Sequence, residues 1–115
     1  MPPHPEHTGT LDRTLAALAD PTRRRLLDHV GRRPQRPSDL GRGFSISRPA
    51  VSRHLRVLRR AGLVEAIPQG REMLYRLATR SSPLVEVREY VERVSRAWDR
   101  ALERFKAFAE QEGEA

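Results

Sequence analysis

The stretch 45–64, SISRPAVSRHLRVLRRAGLV, combines apolar residues at helical spacing with a high density of cations. Val51, Leu55 and Leu58 recur every three or four residues, which is typical of a helix face that packs on a core. The same stretch also holds five arginines, which are Arg48, Arg53, Arg56, Arg59 and Arg60. Arginine can donate two parallel hydrogen bonds to guanine or to phosphate. The chemistry predicted for this helix is therefore the binding of a polyanion.

Both ends of the helix are marked in the sequence, and we predict that it spans 48–61. Ser47 suits the N-cap, and Pro49 falls in the first turn, where a missing N–H costs nothing. Gly62 suits a left-handed C-terminal cap, after which Leu63 can fold back on the helix. A short, capped helix of this kind must be positioned by the elements around it.

Two helices are predicted upstream. Leu11, Leu15, Leu18 and Ala19 share one face of the first helix. Asp20 and Pro21 are typical of an N-cap and a first helical position, and Gly31 is placed to end the second helix. Residues 1–9, MPPHPEHTG, are predicted to form a disordered arm because proline and polar residues dominate them.

The downstream pattern predicts a short helix, a hairpin and a long helix. Pro37 begins the short helix, whose apolar residues are Leu40 and Phe44. The runs LVEAIP and EMLYRL are strand-like, and Gly70 between them supplies a turn. Ser82-Pro83 opens a helix with apolar residues at heptad spacing, in the rows Leu84, Val91, Trp98, Phe105 and Val87, Val94, Ala101, Phe108. Such a helix is about 45 Å long, more than a small body covers, which favours a second copy of the chain as its partner.

Composition narrows the class of protein. The 115 residues carry a net charge of +7, and residues 1–80 hold 16 Lys/Arg against 7 Asp/Glu, whereas 81–115 hold 6 against 8. A basic body suggests a polyanionic partner, although a generally arginine-rich proteome is an alternative explanation. The absence of cysteine excludes disulfides and thiolate metal sites. With no long apolar run, we expect no membrane association and a cytoplasmic location.

The order of elements predicts a mainly α fold with a small β-hairpin wing (α+β), a winged helix-turn-helix. We expect a disordered arm at 1–9, a DNA-binding domain at 10–80, and a C-terminal dimerisation helix of the same domain at 81–115. No pairing of nucleophile and base, phosphate-cradling loop or paired carboxylates is present, so an enzyme is not expected.

The predicted DNA contacts follow from the two faces of the 48–61 helix. Its N-terminal part is expected to meet base edges through Arg48, Pro49, Ser52 and Arg53. Its later arginines, Arg56, Arg59 and Arg60, suit phosphate. The alternatives are a solvated helix face, or a module that docks an acidic protein or RNA. The small Ser/Pro/Ala group between Arg48 and Arg53 favours DNA, because it lets the helix approach base edges closely.

Three segments, LAALADPTRRRLLDHV, SISRPAVSRHLRVLRRAGLV and QGREMLYRL, resemble the bacterial arsenical-resistance-repressor (ArsR-type) family of winged-helix regulators. The resemblance spans roughly 11–77, and 83–112 resembles the family's dimerisation helix. It implies a homodimer that represses transcription by binding operator DNA and that an effector of unknown identity releases. It places groove contacts on Arg48, Pro49, Ser52 and Arg53, and wing contacts on Gln69, Gly70 and Arg71.

The resemblance also implies a dimer interface formed by the first and last helices. The residues assigned to it are Leu11, Leu15, Leu84, Val87, Val91, Val94, Trp98, Leu102 and Phe105. Metal-sensing relatives carry cysteine ligands in the helix before the turn, or aspartate and histidine ligands on the last helix. Here the first place has no cysteine and the last helix has no histidine. The carboxylates of the last helix could bind a hard cation, but we expect them to pair with neighbouring arginines; they are Glu86, Glu89, Asp99 and Glu103. We therefore expect no metal and no cofactor, with His4 and His7 of the arm as a weak candidate pair.

Two features stay open between alternatives. Arg23 to Arg25 either meet phosphate or pair with Asp20 and Asp28. Trp98 either belongs to the interface or lines an effector pocket. The sequence as a whole predicts a homodimeric, metal-independent repressor that places the 48–61 helix in the major groove of an inverted-repeat operator.

Overall fold

The computed structural model describes residues 5–79 and 83–114, and the side chains of 9–79 and 83–113. The elements in chain order are α1 (Pro5–Leu18), α2 (Pro21–Arg32), α3 (Pro37–Arg42), α4 (Arg48–Arg60), β1 (Val64–Gln69), β2 (Glu72–Leu77) and α5 (Leu84–Glu114). The two strands form one antiparallel sheet. The predicted mainly helical fold with a β-hairpin wing is confirmed.

Helix α1 begins earlier than predicted. It starts at Pro5, so residues 5–9, expected to be disordered, are helical. Proline is well tolerated at the first helical position, because its missing N–H would have no partner there. Residues 1–4 of the predicted arm lie outside the described residues, and so does His4 of the candidate histidine pair, together with the side chain of its partner His7.

Helix α2 begins as predicted but ends later. The Asp20 carboxylate accepts the backbone N–H of Arg23 at 3.0 Å and caps the helix. The prediction that Gly31 ends α2 is wrong, because the helix continues to Arg32. Arg33 then takes an extended conformation (φ −166°, ψ 154°). Arg33 precedes a proline, and the residue before proline disfavours the helical region, which accounts for the end of α2.

The hydrophobic core joins the four N-terminal helices to the start of the wing. Its apolar members with under 3% exposure are Ala17, Leu26, Val30, Leu40, Val51, Leu55, Leu58, Leu63 and Val64. Thr14 of α1 is buried with them, and its hydroxyl donates to the Thr10 carbonyl oxygen at 2.9 Å. That local hydrogen bond lets a polar residue occupy a core position.

The wing is a hairpin with a two-residue turn. Gln69 pairs with Glu72, and Val64 pairs with Leu77 at the far end. A third backbone segment joins the outer side of β2, where Gln35 and Tyr75 exchange hydrogen bonds of 2.9 and 2.8 Å. The wing is therefore fixed to the loop between α2 and α3.

The chain divides into two units, Met1–Leu84 and Val85–Ala115. The second unit holds all of α5 except its first residue, Leu84. This helix has 31 residues and is about 45 Å long at 1.5 Å per residue. The predicted division at 80/81, with 81–115 as a dimerisation helix of the same domain, stays a prediction. Ser82, predicted to open this helix, lies outside the described residues, and Pro83 precedes the first helical residue, Leu84.

Candidate nucleic-acid interface

Helix α4 has two chemically different faces. Val51, Leu55 and Leu58 are fully buried. The α4 residues that are predicted to contact DNA are all exposed; they are Arg48, Pro49, Ser52, Arg53, Arg56, Arg59 and Arg60. A buried apolar stripe fixes the orientation of the helix, so the cationic residues point to solvent as a consequence of core packing.

Local hydrogen bonds define both ends of α4. The Ser47 hydroxyl accepts the N–H of Ala50 at 3.2 Å, which confirms the predicted N-cap. At the other end Gly62 (φ 79°) donates to the Arg59 carbonyl, and Leu63 donates to the Leu58 carbonyl, both at 3.0 Å. This pair of bonds is the Schellman motif. The predicted C-terminal cap is confirmed, and both caps hold α4 at a defined length.

The predicted wing contacts lie at the tip of the hairpin. Gln69, Gly70 and Arg71 are all exposed. Gly70 has φ 64°, a conformation that favours glycine. No other atom lies within 4 Å of a Cβ built there, so the backbone conformation alone requires this glycine. The amide oxygen of Gln69 accepts from Arg36 Nε at 3.0 Å, which ties the wing tip to the start of α3.

One carboxylate joins the wing to both helices of the helix-turn-helix. Glu72 Oε1 lies 3.6 Å from Arg48 Nη2. Glu72 Oε2 accepts from the Ser38 hydroxyl at 3.3 Å and lies 3.9 Å from Arg36 Nε. Sequence reasoning gave Glu72 no role. The available signal was an acidic residue directly after the wing turn, next to Arg71 and close in sequence to the predicted wing contacts.

Two of the arginines that open α2 cap the end of α1, a role that the sequence did not indicate. Arg23 donates through Nε to the Ala17 carbonyl at 2.7 Å and through Nη2 to the Ala16 carbonyl at 3.0 Å. Arg24 donates to the Leu18 carbonyl at 2.6 Å. Unpaired carbonyls at a helix C-terminus attract cations, so these arginines stabilise the α1–α2 corner.

Of the two interpretations for this run, the pairing with aspartates is met in part, and the contact with phosphate stays a prediction. Arg23 Nη1 does lie 3.8 Å from Asp20 Oδ2. Arg25 stacks over the Phe44 ring at 4.8 Å. Within the described residues, no ion pair links Asp28 to these arginines.

The histidines with described side chains have structural neighbours. His54 of α4 is half-buried, and its Nδ1 lies 3.5 Å from Arg23 Nη1. The ring of His29 meets Phe44 edge-on at 5.1 Å. No group of three or more metal-ligating side chains occurs in the part of the chain that the structure describes.

The residues predicted for the dimer interface are largely accessible. On α5 the exposed ones are Leu84 at 41%, Val91 at 51%, Trp98 at 64%, Leu102 at 57% and Phe105 at 68%. Val87 and Val94 are half-buried. On α1, Leu15 is 37% exposed and Leu11 is half-buried. A contiguous apolar stripe left open on a charged helix is typical of a protein interface.

A helix, a turn, a capped basic helix and a two-stranded wing define the winged helix-turn-helix class. Consistent with that class, a helix-turn-helix domain family matches residues 18–67. No helix in 5–79 or 83–114 has the length and hydropathy needed to span a bilayer.

Sequence similarity to known proteins indicates which family within this class the chain resembles. The HTH-type transcriptional regulator Rv2034 of Mycobacterium tuberculosis (strain ATCC 25618 / H37Rv) is 37% identical over 103 residues, which make up 90% of this chain and 92% of Rv2034. The transcriptional repressor SdpR of Bacillus subtilis (strain 168) is 32% identical over 69 residues, 60% of this chain and 77% of SdpR.

A solved structure agrees with these relatives. The ArsR-like transcriptional regulator from Rhodococcus sp. RHA1 matches with a TM-score of 0.69 at 36% identity, covering 89% of this chain and 94% of that structure. This chain belongs to the ArsR family of winged helix-turn-helix transcriptional regulators, which confirms the resemblance found in the sequence.

Proposed function

We propose that this protein is a homodimeric, DNA-binding transcriptional repressor that places α4 in the major groove of an inverted-repeat operator. The observation that carries the proposal is the N-terminal part of α4. Arg48, Pro49, Ser52 and Arg53 are all exposed there, and Glu72, beside the wing turn, lies within 3.6 Å of Arg48. A helix and a wing presented together match the way this class contacts a duplex.

The side chains on this surface suit two kinds of contact. Arg48 and Arg53 can each pair with a guanine edge, and the small Pro49 and Ser52 between them allow close approach in a groove about 12 Å wide. Arg56, Arg59 and Arg60 continue along the exposed face and suit phosphates, as does Arg71 at the wing tip. Base contacts would select the sequence, and phosphate contacts would fix the register.

The proposed dimer rests on α5. The exposed apolar residues of α5 form a surface that a second copy of the same chain would cover. Leu15 of α1 is exposed as well and is a second candidate contact. Two recognition helices related by a two-fold axis read a palindromic site. That relation is the reason for proposing an inverted repeat.

We also propose that operator binding needs no metal. The chain has no cysteine, and the described residues hold no cluster of ligands. An operator titration carried out with a chelator and again with zinc tests this part, because a shift in affinity under either condition contradicts it.

A genomic selection tests the proposed function directly. The purified chain is incubated with genomic DNA fragments, and the bound fragments are sequenced. We expect enrichment of a short inverted repeat with half-sites one helical turn apart, about 10 base pairs. Fragments with no shared sequence, or a preference for RNA over the duplex, would contradict the proposal. Repeating the selection with metabolites from a cell extract searches for an effector.

A further inference from the structure

Glu72 places a negative charge in the middle of the surface proposed to meet DNA. It is the first residue of β2, directly after the wing turn. Its carboxylate lies within 4 Å of two cations from other parts of the chain, Arg48 at the start of α4 and Arg36, the residue before α3. A carboxylate here repels phosphate, so it weakens the attraction of the surface for any DNA.

The contact between Glu72 and Arg48 has the geometry of an exchangeable pair. At 3.6 Å it is longer than a charge-assisted hydrogen bond of about 2.8 Å. The side chains are 36% and 67% exposed, and exposed pairs of this type contribute little to stability. The carboxylate of Glu72 therefore holds the Arg48 side chain only weakly, and a stronger hydrogen-bond acceptor can replace it.

The wing does not depend on this pair for its attachment. Gln69 accepts from Arg36 Nε at 3.0 Å, and Tyr75 exchanges two backbone hydrogen bonds with Gln35. The Ser38 hydroxyl donates to Glu72, a bond that a neutral amide oxygen can also accept. The charge of Glu72 is thus not required to hold the hairpin in place.

We propose that Glu72 is a specificity-determining residue. Its carboxylate competes with DNA for Arg48. At the operator, Arg48 leaves Glu72 and binds a guanine edge. On unrelated DNA, Arg48 gains little by leaving Glu72 for a phosphate. Negative charge on a binding surface can raise specificity by penalising the wrong partner. The inference rests on the proposed function, because it assumes that α4 and the wing meet DNA.

Glu72→Gln tests the proposal, because it removes the charge and keeps the shape and the acceptor for Ser38. Affinity is measured for the selected operator and for an unrelated duplex over a series of salt concentrations. We expect the variant to bind the unrelated duplex about threefold to tenfold more tightly at low salt, with the salt dependence steeper by about one phosphate contact. The affinity for the operator should rise by less, so the ratio of operator affinity to unrelated-duplex affinity should fall.

Glu65→Gln is the matched control. Glu65 pairs with Arg76 on the same hairpin, at the end away from the turn. The control should retain the wild-type salt dependence and affinity ratio. In an Arg48→Ala background, Glu72→Gln should change the ratio by less than about twofold, because the competing cation is gone.

Two results would overturn the inference. One is a Glu72→Gln variant with the same salt dependence and affinity ratio as Glu65→Gln. The other is an equal loss of affinity on both duplexes with a lower Tm, which would make Glu72 a structural residue only. Wild-type protein that binds neither duplex would instead contradict the proposed function, so the two failures are distinguishable.

Discussion

Arg53 and Arg56 lie three residues apart on the exposed side of α4, and the proposed interface gives them different roles. Arg53 belongs to the group near base edges, whereas Arg56 lies further along and suits phosphate. Both side chains are exposed, so replacing either leaves the buried stripe of α4 intact. This makes them a matched pair of substitutions on one helix.

Arg53→Ala should reduce discrimination among operator variants, by about 1–3 kcal/mol at one base step. Arg56→Ala should instead weaken binding about equally on all sequences and lower the salt dependence by about one contact. Competition binding with a panel of operator variants at two salt concentrations measures both. Equal losses on every duplex for Arg53→Ala would make Arg53 a phosphate contact.

Asp20 makes the stability of the α1–α2 corner depend on pH. The N–H that the carboxylate accepts from the Arg23 backbone lowers the pKa of Asp20 below its ordinary 3.8. A group with a lowered pKa in the folded state stabilises the fold above its unfolded pKa. That stabilisation is lost as the pH falls through the folded pKa.

Asp20→Asn isolates this contribution, because asparagine caps a helix but does not titrate in this range. The wild type should be more stable than the variant at about pH 6, and the difference should shrink as the pH falls below about 4. Thermal melts of both proteins across this range measure the difference in Tm. Curves that remain parallel would show that the cap does not couple to protonation.

At the scale of elements, two glycines should respond to the same substitution with opposite signs. Gly62, in the C-terminal cap of α4, has φ 79°, a backbone conformation in which alanine is strained. Space is not the obstacle, because a Cβ there would lie 3.8 Å from Pro83, an ordinary contact distance. Gly62→Ala should cost about 1–2 kcal/mol. Gly41 lies within α3, and a Cβ there meets nothing within 4 Å. Gly41→Ala should add about 0.5–1 kcal/mol, since alanine favours helix.

Urea unfolding of the two alanine variants gives both free energies. A neutral Gly62→Ala would mean that the left-handed cap is dispensable. A destabilised Gly41→Ala would mean that α3 needs a glycine at this position for a reason other than a steric clash of the Cβ. Neither substitution changes the exposed face of α4. Unchanged operator affinity in both variants would therefore show that the fold is intact.

Elements were predictable where the sequence marks them locally. Ser47, Gly62 and the stripe from Val51 to Leu58 are near neighbours in sequence, and the helix they predict forms with the predicted caps. The predicted end of α2 is wrong because the sequence offers two stop signals, Gly31 and the residue before Pro34, and the second one ends the helix.

Contacts between residues distant in the chain were not predictable in the same way. Glu72 meets Ser38 across 34 positions, and Arg25 meets the Phe44 ring. The sequence shows charge and aromatic character but not which elements pack side by side. The partners of Arg23 and Arg24 are the carbonyls that end α1, and the sequence at the start of α2 does not reveal that contact.

At the scale of the whole molecule, assembly is expected to depend on α5. Trp98 and Phe105 are among its most exposed apolar residues, at 64% and 68%. Replacing both with aspartate should produce monomers in sedimentation and abolish tight operator binding, because one half-site alone binds weakly. Ala107→Asp, an exposed position outside both apolar rows, should leave the dimer intact. Dimers that survive the double substitution would remove α5 from the interface.

The hydrogen bonds between Gln35 and Tyr75 have a consequence for aggregation. Both strands of a two-stranded sheet are edge strands, and an open edge is a template for adding strands from other chains. Gln35 occupies part of the outer edge of β2, and Pro68 of β1 has no N–H to offer. Strand addition is thereby blunted on both sides, so copies of this chain can meet at high local concentration through helical surfaces without growing into a continuous sheet.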